Sequence, residues 1–213
     1  MRRKWTRAAV RFCSPASGRR LSSRATRFTP LGRIRGCRAR KGRCRPSWSR
    51  PETIHVTLAF LGQKPRTMID PMREALREVT ARFAPLVIEI KGLGVFPNWQ
   101  RPRVLWAGLR ERTHQIDALH QAVERCLERF DYEPEAREYR PHLTLARFGG
   151  LRGVNAAQGI VMAHKDFRAP TFDAPACMLF ESELHPSGAR HTALDHFEFT
   201  KPSDSATHEN STV

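Results

Sequence analysis

The order of apolar and polar positions divides this chain into readable elements from residue 54 onward. Ile54, Val56, Leu58 and Phe60 alternate with His55, Thr57 and Ala59, and the run closes at Gly62. That is the signature of a strand followed by a turn. Ile69, Met72, Leu76, Val79 and Phe83 recur at helical spacing, with Pro71 in the tolerated first turn. Residues 86–90 and 103–109 read as strands, joined by the loop Pro97-Asn98-Trp99-Gln100-Arg101-Pro102. Ile116, Leu119, Val123, Leu127 and Phe130 predict a second amphipathic helix. A second alternating strand follows at 142–148, again closed by glycine. Further strands fit 178–181 and 193–199, on either side of a turn at Pro186-Ser187-Gly188. Strand, helix, two strands, helix and further strands predict an α+β domain with antiparallel sheets.

Residues 1–47 follow no such pattern. They show no sustained period of 2 or 3.6 and are rich in Arg, Ser, Gly and Pro, so they bury too little apolar surface to offset the entropy of ordering. The expected organisation is a disordered or aberrant basic segment over 1–47, one domain over 48–200 and a polar tail over 201–213. The net charge of +16 changes little in this picture. Residues 1–50 hold 15 Arg and 2 Lys with no Asp or Glu, and the remainder balances 20 basic against 21 acidic side chains. The basic segment suits a phosphate-backbone arm whose binding weakens with salt, or a targeting peptide. The abrupt change at Trp48 also fits a 5′ coding region read out of frame. No apolar run approaches the roughly 20 residues that span a bilayer. Five scattered cysteines fit reduced thiols of a cytoplasmic protein. Cys37 and Cys44 have no partners at zinc-site spacing, and Cys126 and Cys177 read as inert core thiols.

The candidate chemistry lies in a repeat. His55-Val56-Thr57-Leu58-Ala59-Phe60-Leu61-Gly62 aligns with His142-Leu143-Thr144-Leu145-Ala146-Arg147-Phe148-Gly149, identical at five of eight positions. A spacing of 87 residues is too long for a solenoid and predicts two lobes related by an approximate twofold axis. In a strand, residues i and i+2 share a face, so His55 and Thr57 project together, as do His142 and Thr144. Should the two strands meet, two imidazoles and two hydroxyls converge. One imidazole can then take a proton from water while the other protonates a leaving oxygen, and the hydroxyls can hold a phosphate. The set calls for no metal and no cofactor.

The phrases Arg50-Pro51-Glu52-Thr53-Ile54-His55-Val56-Thr57-Leu58-Ala59-Phe60-Leu61-Gly62, Pro102-Arg103-Val104-Leu105-Trp106-Ala107-Gly108-Leu109, Tyr139-Arg140-Pro141-His142-Leu143-Thr144-Leu145-Ala146-Arg147 and Leu179-Phe180-Glu181-Ser182-Glu183-Leu184 carry a resemblance. Across 48–199 the chain resembles the 2H phosphoesterase superfamily, in its bacterial RNA 2′,3′-cyclic phosphodiesterase or 2′-5′ RNA ligase branch. The resemblance implies a two-lobed pseudo-twofold fold, with antiparallel sheets facing a central cleft and helices outside. It implies hydrolysis of a terminal 2′,3′-cyclic phosphate to a 2′-phosphomonoester, with reversible 2′-5′ ligation, and no metal or nucleotide cofactor. The histidine and threonine roles of that family fall on His55, His142, Thr57 and Thr144, with His55 taken as the acid and His142 as the base. RNA ends or 2′,3′-cyclic nucleotides are the implied partners of a monomer that needs no protein partner. The family also opens with a short apolar strand and a helix, and residues 1–47 read as containing neither.

Arg140, Arg147 and Arg103 are candidate substrate-binding residues, set against solvated strand-end charges. Phe96 and Trp99 could stack a base, against core or loop packing. Ser182 has no role that its sequence context yields. His114, His120, His164, His185, His191, His196 and His208 read as surface residues. Two other functions compete. One is a non-catalytic RNA-end binder with a defective first lobe. The other is a His-ligated metallohydrolase, disfavoured because neither motif carries a carboxylate beside its histidine.

Overall fold

A computed structural model describes residues 5–13, 46–111, 113–150, 154–164, 166–185 and 188–200. In chain order the elements are β1 (Trp5–Cys13), β2 (Ser47–Trp48), β3 (His55–Pro65), α1 (Ile69–Thr80), β4 (Leu86–Phe96), β5 (Val104–Arg110), α2 (Gln115–Leu127), β6 (His142–Arg147), α3 (Val154–Ala163), β7 (Arg168–Ala174), β8 (Ala176–His185) and β9 (Gly188–Glu198). The strands form one antiparallel sheet in the order β7-β4-β5-β6-β3-β1-β8-β9, with β2 added against β6. Four strands lie on each side of the β6–β3 junction, so the two lobes are halves of a continuous sheet. The junction is narrow, with Val56 opposite Leu143 as its paired residues. Beyond that point β6 turns its edge to β2, where Ser47 and Trp48 face Arg147 and Ala146.

One face of the sheet is buried. Val56, Leu58, Leu143, Ile88 and Leu179 join Met72 and Leu76 of α1 and Leu119 and Val123 of α2 in a single apolar cluster. The helices sit where their apolar stripes predict, and α1 and α2 touch each other above the sheet. A smaller cluster of Val95, Leu105, Ala146 and Val161 lies beneath α3.

Several sequence readings are corrected. Residues 5–13 form a strand, although residues 1–47 read as holding none. β1 lies in the interior of the sheet, paired to β3 on one side and β8 on the other. Ala9, Val10 and Arg11 are all buried, so both faces of this strand are covered and no apolar–polar alternation marks it. The strand before the first motif is therefore present. This removes the premise of a first lobe lacking its strand. Residues 14–45 and 201–213, with Cys37 and Cys44, lie outside the described residues. Gly62 does not end its strand. It takes a positive φ of 65° where β1 slips register between Ala8 and Ala9, and β3 continues to Pro65. β4 likewise runs past residue 90, because Gly92, at φ 77°, absorbs a register shift against β5. α3 and β7 carry no clear periodic signal in the sequence and are not predicted from it.

Candidate active site

The junction register decides the site. Val56 and Leu143 pair and point into the core. Extending the antiparallel register by one residue each way puts His55 across from Thr144, and Thr57 across from His142, on the opposite face. Cross-strand neighbours of this kind have Cβ atoms roughly 4.5–5.5 Å apart. The local twofold of an antiparallel pair exchanges the two motifs, as the sequence repeat requires. All four residues are partly buried, whereas Val56 and Leu143 are enclosed.

Each imidazole is held in the same way. Nδ1 of His55 lies 2.7 Å from the Thr53 carbonyl, and Nδ1 of His142 lies 2.7 Å from the Arg140 carbonyl. A carbonyl oxygen only accepts, so Nδ1 carries the proton and Nε2 is left to exchange protons with a reactant. The acceptor in both cases is the carbonyl two residues upstream, a second mark of the pseudo-twofold. Burial, then the charge of Arg11, push the His55 pKa down to about 4, with His191 and Arg147 adding to the effect against the Thr53 bond. Burial and Arg147 also lower His142, opposed by the Arg140 carbonyl. Both imidazoles are therefore neutral in the free protein at pH 7.

The surroundings of the two motifs differ. On the His142 side the Phe96 ring meets the imidazole edge-on at 5.0 Å, with Trp106 behind it at 6.4 Å. These side chains border a cleft of about 710 Å³ that continues past Tyr139 and Arg140. On the His55 side stands His191, edge-on at 6.0 Å, with its Nδ1 2.8 Å from the Ser182 hydroxyl. Arg11 reaches the same hydroxyl at 3.4 Å and lies over the Phe180 ring. Behind the motifs, the Tyr139 hydroxyl donates to the Thr57 carbonyl at 3.2 Å. Its ring stacks on His120 at 3.7 Å, and His120 meets the Leu58 carbonyl and Glu124. This strut ties the approach to the second motif to the backbone of the first.

Among the secondary candidates, Arg147 acts electrostatically on both imidazoles although its side chain is exposed. The Arg140 side chain turns instead to Glu138 at 2.9 Å, and it is the Arg140 carbonyl that serves the site. Arg103 is exposed, and its backbone fastens Phe96 and Phe148. Trp99 packs with the smaller core cluster, while Phe96 faces His142. His191 and His120 are half-buried and partnered, not surface residues as read from sequence. His114, His164 and His196 are exposed, and the His185 side chain and His208 lie outside the described residues. Cys177 is fully buried, its thiol pushed up to about 12 by desolvation, and Cys126 is half-buried. Sequence reasoning missed Arg11, which lay in a segment read as unstructured. His191 could have been found from its place opposite Ser182 in a family-like hairpin. Among the described residues no three His, Cys, Asp or Glu side chains gather as a metal-ligand set, and no helix is long and apolar enough to cross a membrane.

Known proteins resemble this chain in sequence and in fold. An RNA 2′,3′-cyclic phosphodiesterase of Aeropyrum pernix is 32% identical over 143 residues, covering 67% of this chain and 80% of that protein. The Methanothermobacter thermautotrophicus protein of the same description is 29% identical over 147 residues, covering 69% and 79%. One from Geobacillus stearothermophilus is 35% identical over 138 residues, covering 65% of this chain and 43% of that one. Among solved structures, a Thermus thermophilus protein superimposes with a TM-score of 0.68 at 22% identity over 91% of this chain and 97% of that one. E. coli LigT complexed with 3′-AMP gives 0.62 at 18%, covering 93% and 100%. A family model described as the 2′-5′ RNA ligase superfamily matches residues 24–175, which is more than half of the sequence, and the chain belongs to that family.

Proposed function

We propose that this protein hydrolyses the terminal 2′,3′-cyclic phosphate of RNA to a 2′-phosphomonoester, with His55 and His142 as its acid–base pair and Thr57 and Thr144 as phosphate ligands. The observation that carries the reading is the paired arrangement at the junction, where two H-x-T strands share a face and both Nδ1 atoms are tied to carbonyls. The relatives named as RNA 2′,3′-cyclic phosphodiesterases supply the substrate class.

In this reading a water attacks phosphorus as Nε2 of His142 takes its proton. The P–O3′ bond breaks, and Nε2 of His55 protonates O3′. The phosphate remains on O2′. Thr57 and Thr144 donate to the non-bridging oxygens and keep the attack in line. His55 is neutral in the free protein, so it takes up a proton from solvent as the substrate binds, favoured by the anionic phosphate opposing the nearby Arg11 charge. With a 5′-hydroxyl RNA end in place of water the same pair supports 2′-5′ ligation. O5′ attacks phosphorus and gives its proton to His142, the P–O3′ bond breaks, and His55 protonates O3′; the reverse run cleaves the 2′-5′ linkage. Arg147 is the secondary candidate best placed to assist. The functional unit is assigned to residues 48–200 together with β1, acting as a cytoplasmic monomer on RNA ends or 2′,3′-cyclic nucleotides.

The test is turnover of a 2′,3′-cyclic nucleotide and a short cyclic-phosphate RNA in EDTA by wild type, His55→Ala and His142→Ala. The reading requires a 2′-phosphate product and a loss of at least about 10²-fold in each variant. A folded wild type that binds these ends without turnover would replace it with the binder reading. Loss of wild-type activity in EDTA would favour the metallohydrolase.

A further inference from the structure

The two imidazoles are held alike, but the carbonyls that hold them are supported differently. The Thr53 carbonyl belongs to a 3-10 turn over Pro51–Thr53, closed by N–H bonds from Thr53 and Ile54 to the Arg50 and Pro51 carbonyls. The Arg140 carbonyl lies in an irregular stretch over residues 131–141, which the Leu109 N–H meets at the Pro141 carbonyl. The junction adds little restraint, since β3 and β6 meet through the Val56–Leu143 pair. Tyr139, the residue before Arg140, is what braces this stretch, and Tyr139 is in turn braced by His120. Nδ1 of His120, on α2, donates to the Leu58 carbonyl at 2.9 Å, next to Thr57. Nε2 lies 3.3 Å from a carboxylate oxygen of Glu124, one helical turn on, and the Tyr132 hydroxyl donates to the other oxygen at 2.8 Å. The His120 and Glu124 side chains are 13% and 16% exposed, so the ring is held at both nitrogens away from bulk solvent.

We propose that His120 is a positioning residue for the second motif: by clamping the Tyr139 ring against the Thr57 backbone it fixes the Arg140 carbonyl, and with it the direction of Nε2 of His142. The inference rests on the hydrolytic reading for the reaction that His142 serves, though not for the clamp itself. The fixed imidazole of His120 stacks on the Tyr139 ring at 3.7 Å and 16°, so the tyrosine is placed in the plane of a ring already held at two points. The Tyr139 hydroxyl then donates to the Thr57 carbonyl at 3.2 Å. Burial, then the charges of Asp117 and Glu124, push the Tyr139 pKa up, so the hydroxyl keeps the proton that it donates. One residue further, the Arg140 carbonyl lies 2.7 Å from Nδ1 of His142. The clamp thus gives the second motif what the 3-10 turn gives the first, and it takes its reference from the first motif's own backbone at Thr57 and Leu58.

The test is steady-state turnover of a 2′,3′-cyclic nucleotide by the full chain, read together with the NMR signals of the His142 imidazole. His120→Leu removes the stack and both polar contacts and should lower kcat about ten- to a hundredfold, with KM changed less, because a misdirected base loses rate. The His142 ring signals should shift in the same folded variant, a change that a loss of stability alone would not produce. His120→Asn, which keeps a donor for the Leu58 carbonyl but no ring for Tyr139, should behave in the same way and carries the test if His120→Leu fails to fold. His120→Phe, which keeps a flat ring on Tyr139, should recover part of the lost kcat. Wild-type kcat in a folded His120→Leu or His120→Asn protein, or unmoved His142 signals in it, would overturn the proposal while leaving hydrolysis intact. A wild type without turnover, whose His142 signals still move on substitution of His120, would overturn the hydrolytic reading and leave this one standing.

Discussion

Gly94→Ala should damage both stability and the site through a single side chain. Gly94 pairs directly with Trp106 across β4 and β5, and the indole lies over it. A methyl group placed on Gly94 would stand 2.3 Å from Cζ2 of Trp106, 2.6 Å from Cη2 and 2.8 Å from Cε2. Ordinary carbon contact begins near 3.4 Å, so the ring must retreat by about 1 Å. The indole is packed against Phe96 at 5.1 Å, and both rings flank His142, so the displacement is passed towards the imidazole. Overpacking of this kind costs about 1–3 kcal/mol. A displacement of about 1 Å beside a reacting group lowers turnover by up to about 10²-fold. The assay is thermal unfolding together with kcat/KM on a 2′,3′-cyclic nucleotide, for Gly94→Ala, Trp106→Leu and the double variant. The clashing atoms all belong to the six-membered ring, so Trp106→Leu should relieve the clash. The double variant should then be more stable than the sum of the two single effects predicts. Additive losses, or a Gly94→Ala protein with unchanged Tm and kcat/KM, would refute the reasoning.

Thr57→Ala or Thr144→Ala should raise KM and lower kcat with the fold intact, as circular dichroism and steady-state kinetics would show; unchanged kinetics in both would remove the threonines from the site. The pH profile of kcat/KM should have both limbs below the ordinary histidine value of about 6.5, one of them near 4, because burial and Arg11 depress His55 and burial depresses His142. The sign for stability is the same: a histidine with a depressed folded pKa contributes stability above 6.5 that is lost as pH falls towards 4, so His55→Gln should flatten acid unfolding across that window. Lys64 is buried, with Nζ donating to the Phe130 carbonyl at 2.8 Å and the Asp131 carbonyl at 2.6 Å. Lys64→Met leaves both acceptors without that donor and should cost about 2–4 kcal/mol by chemical denaturation. Tyr139→Phe removes the bond to the Thr57 carbonyl and should lower Tm by about 2–4 °C, with loss of activity exceeding what the stability change alone gives.

The sequence by itself determined the elements whose burial is one-sided. α1 and α2 carry apolar stripes because each covers one face of the sheet, and β3 and β6 alternate because one face meets the core and the other the cleft. The repeat of His55-Val56-Thr57-Leu58 in His142-Leu143-Thr144-Leu145 carried the two-lobed symmetry and the four candidate site residues, since a period of two fixes which side chains project together. Only the tertiary structure decided how the lobes meet, because the Val56–Leu143 pairing is a long-range register that no local pattern encodes. It also decided what surrounds the imidazoles. β1 is covered on both faces and so lacks alternation, which hid Arg11 in a segment that reads as disordered. Strand pairing carried His191 to His55 over 136 residues of chain and left Arg140 contributing a carbonyl rather than its charge. Periodicity records which face of an element is buried; the identity of the neighbour across a strand is set by chain crossings, and those are global.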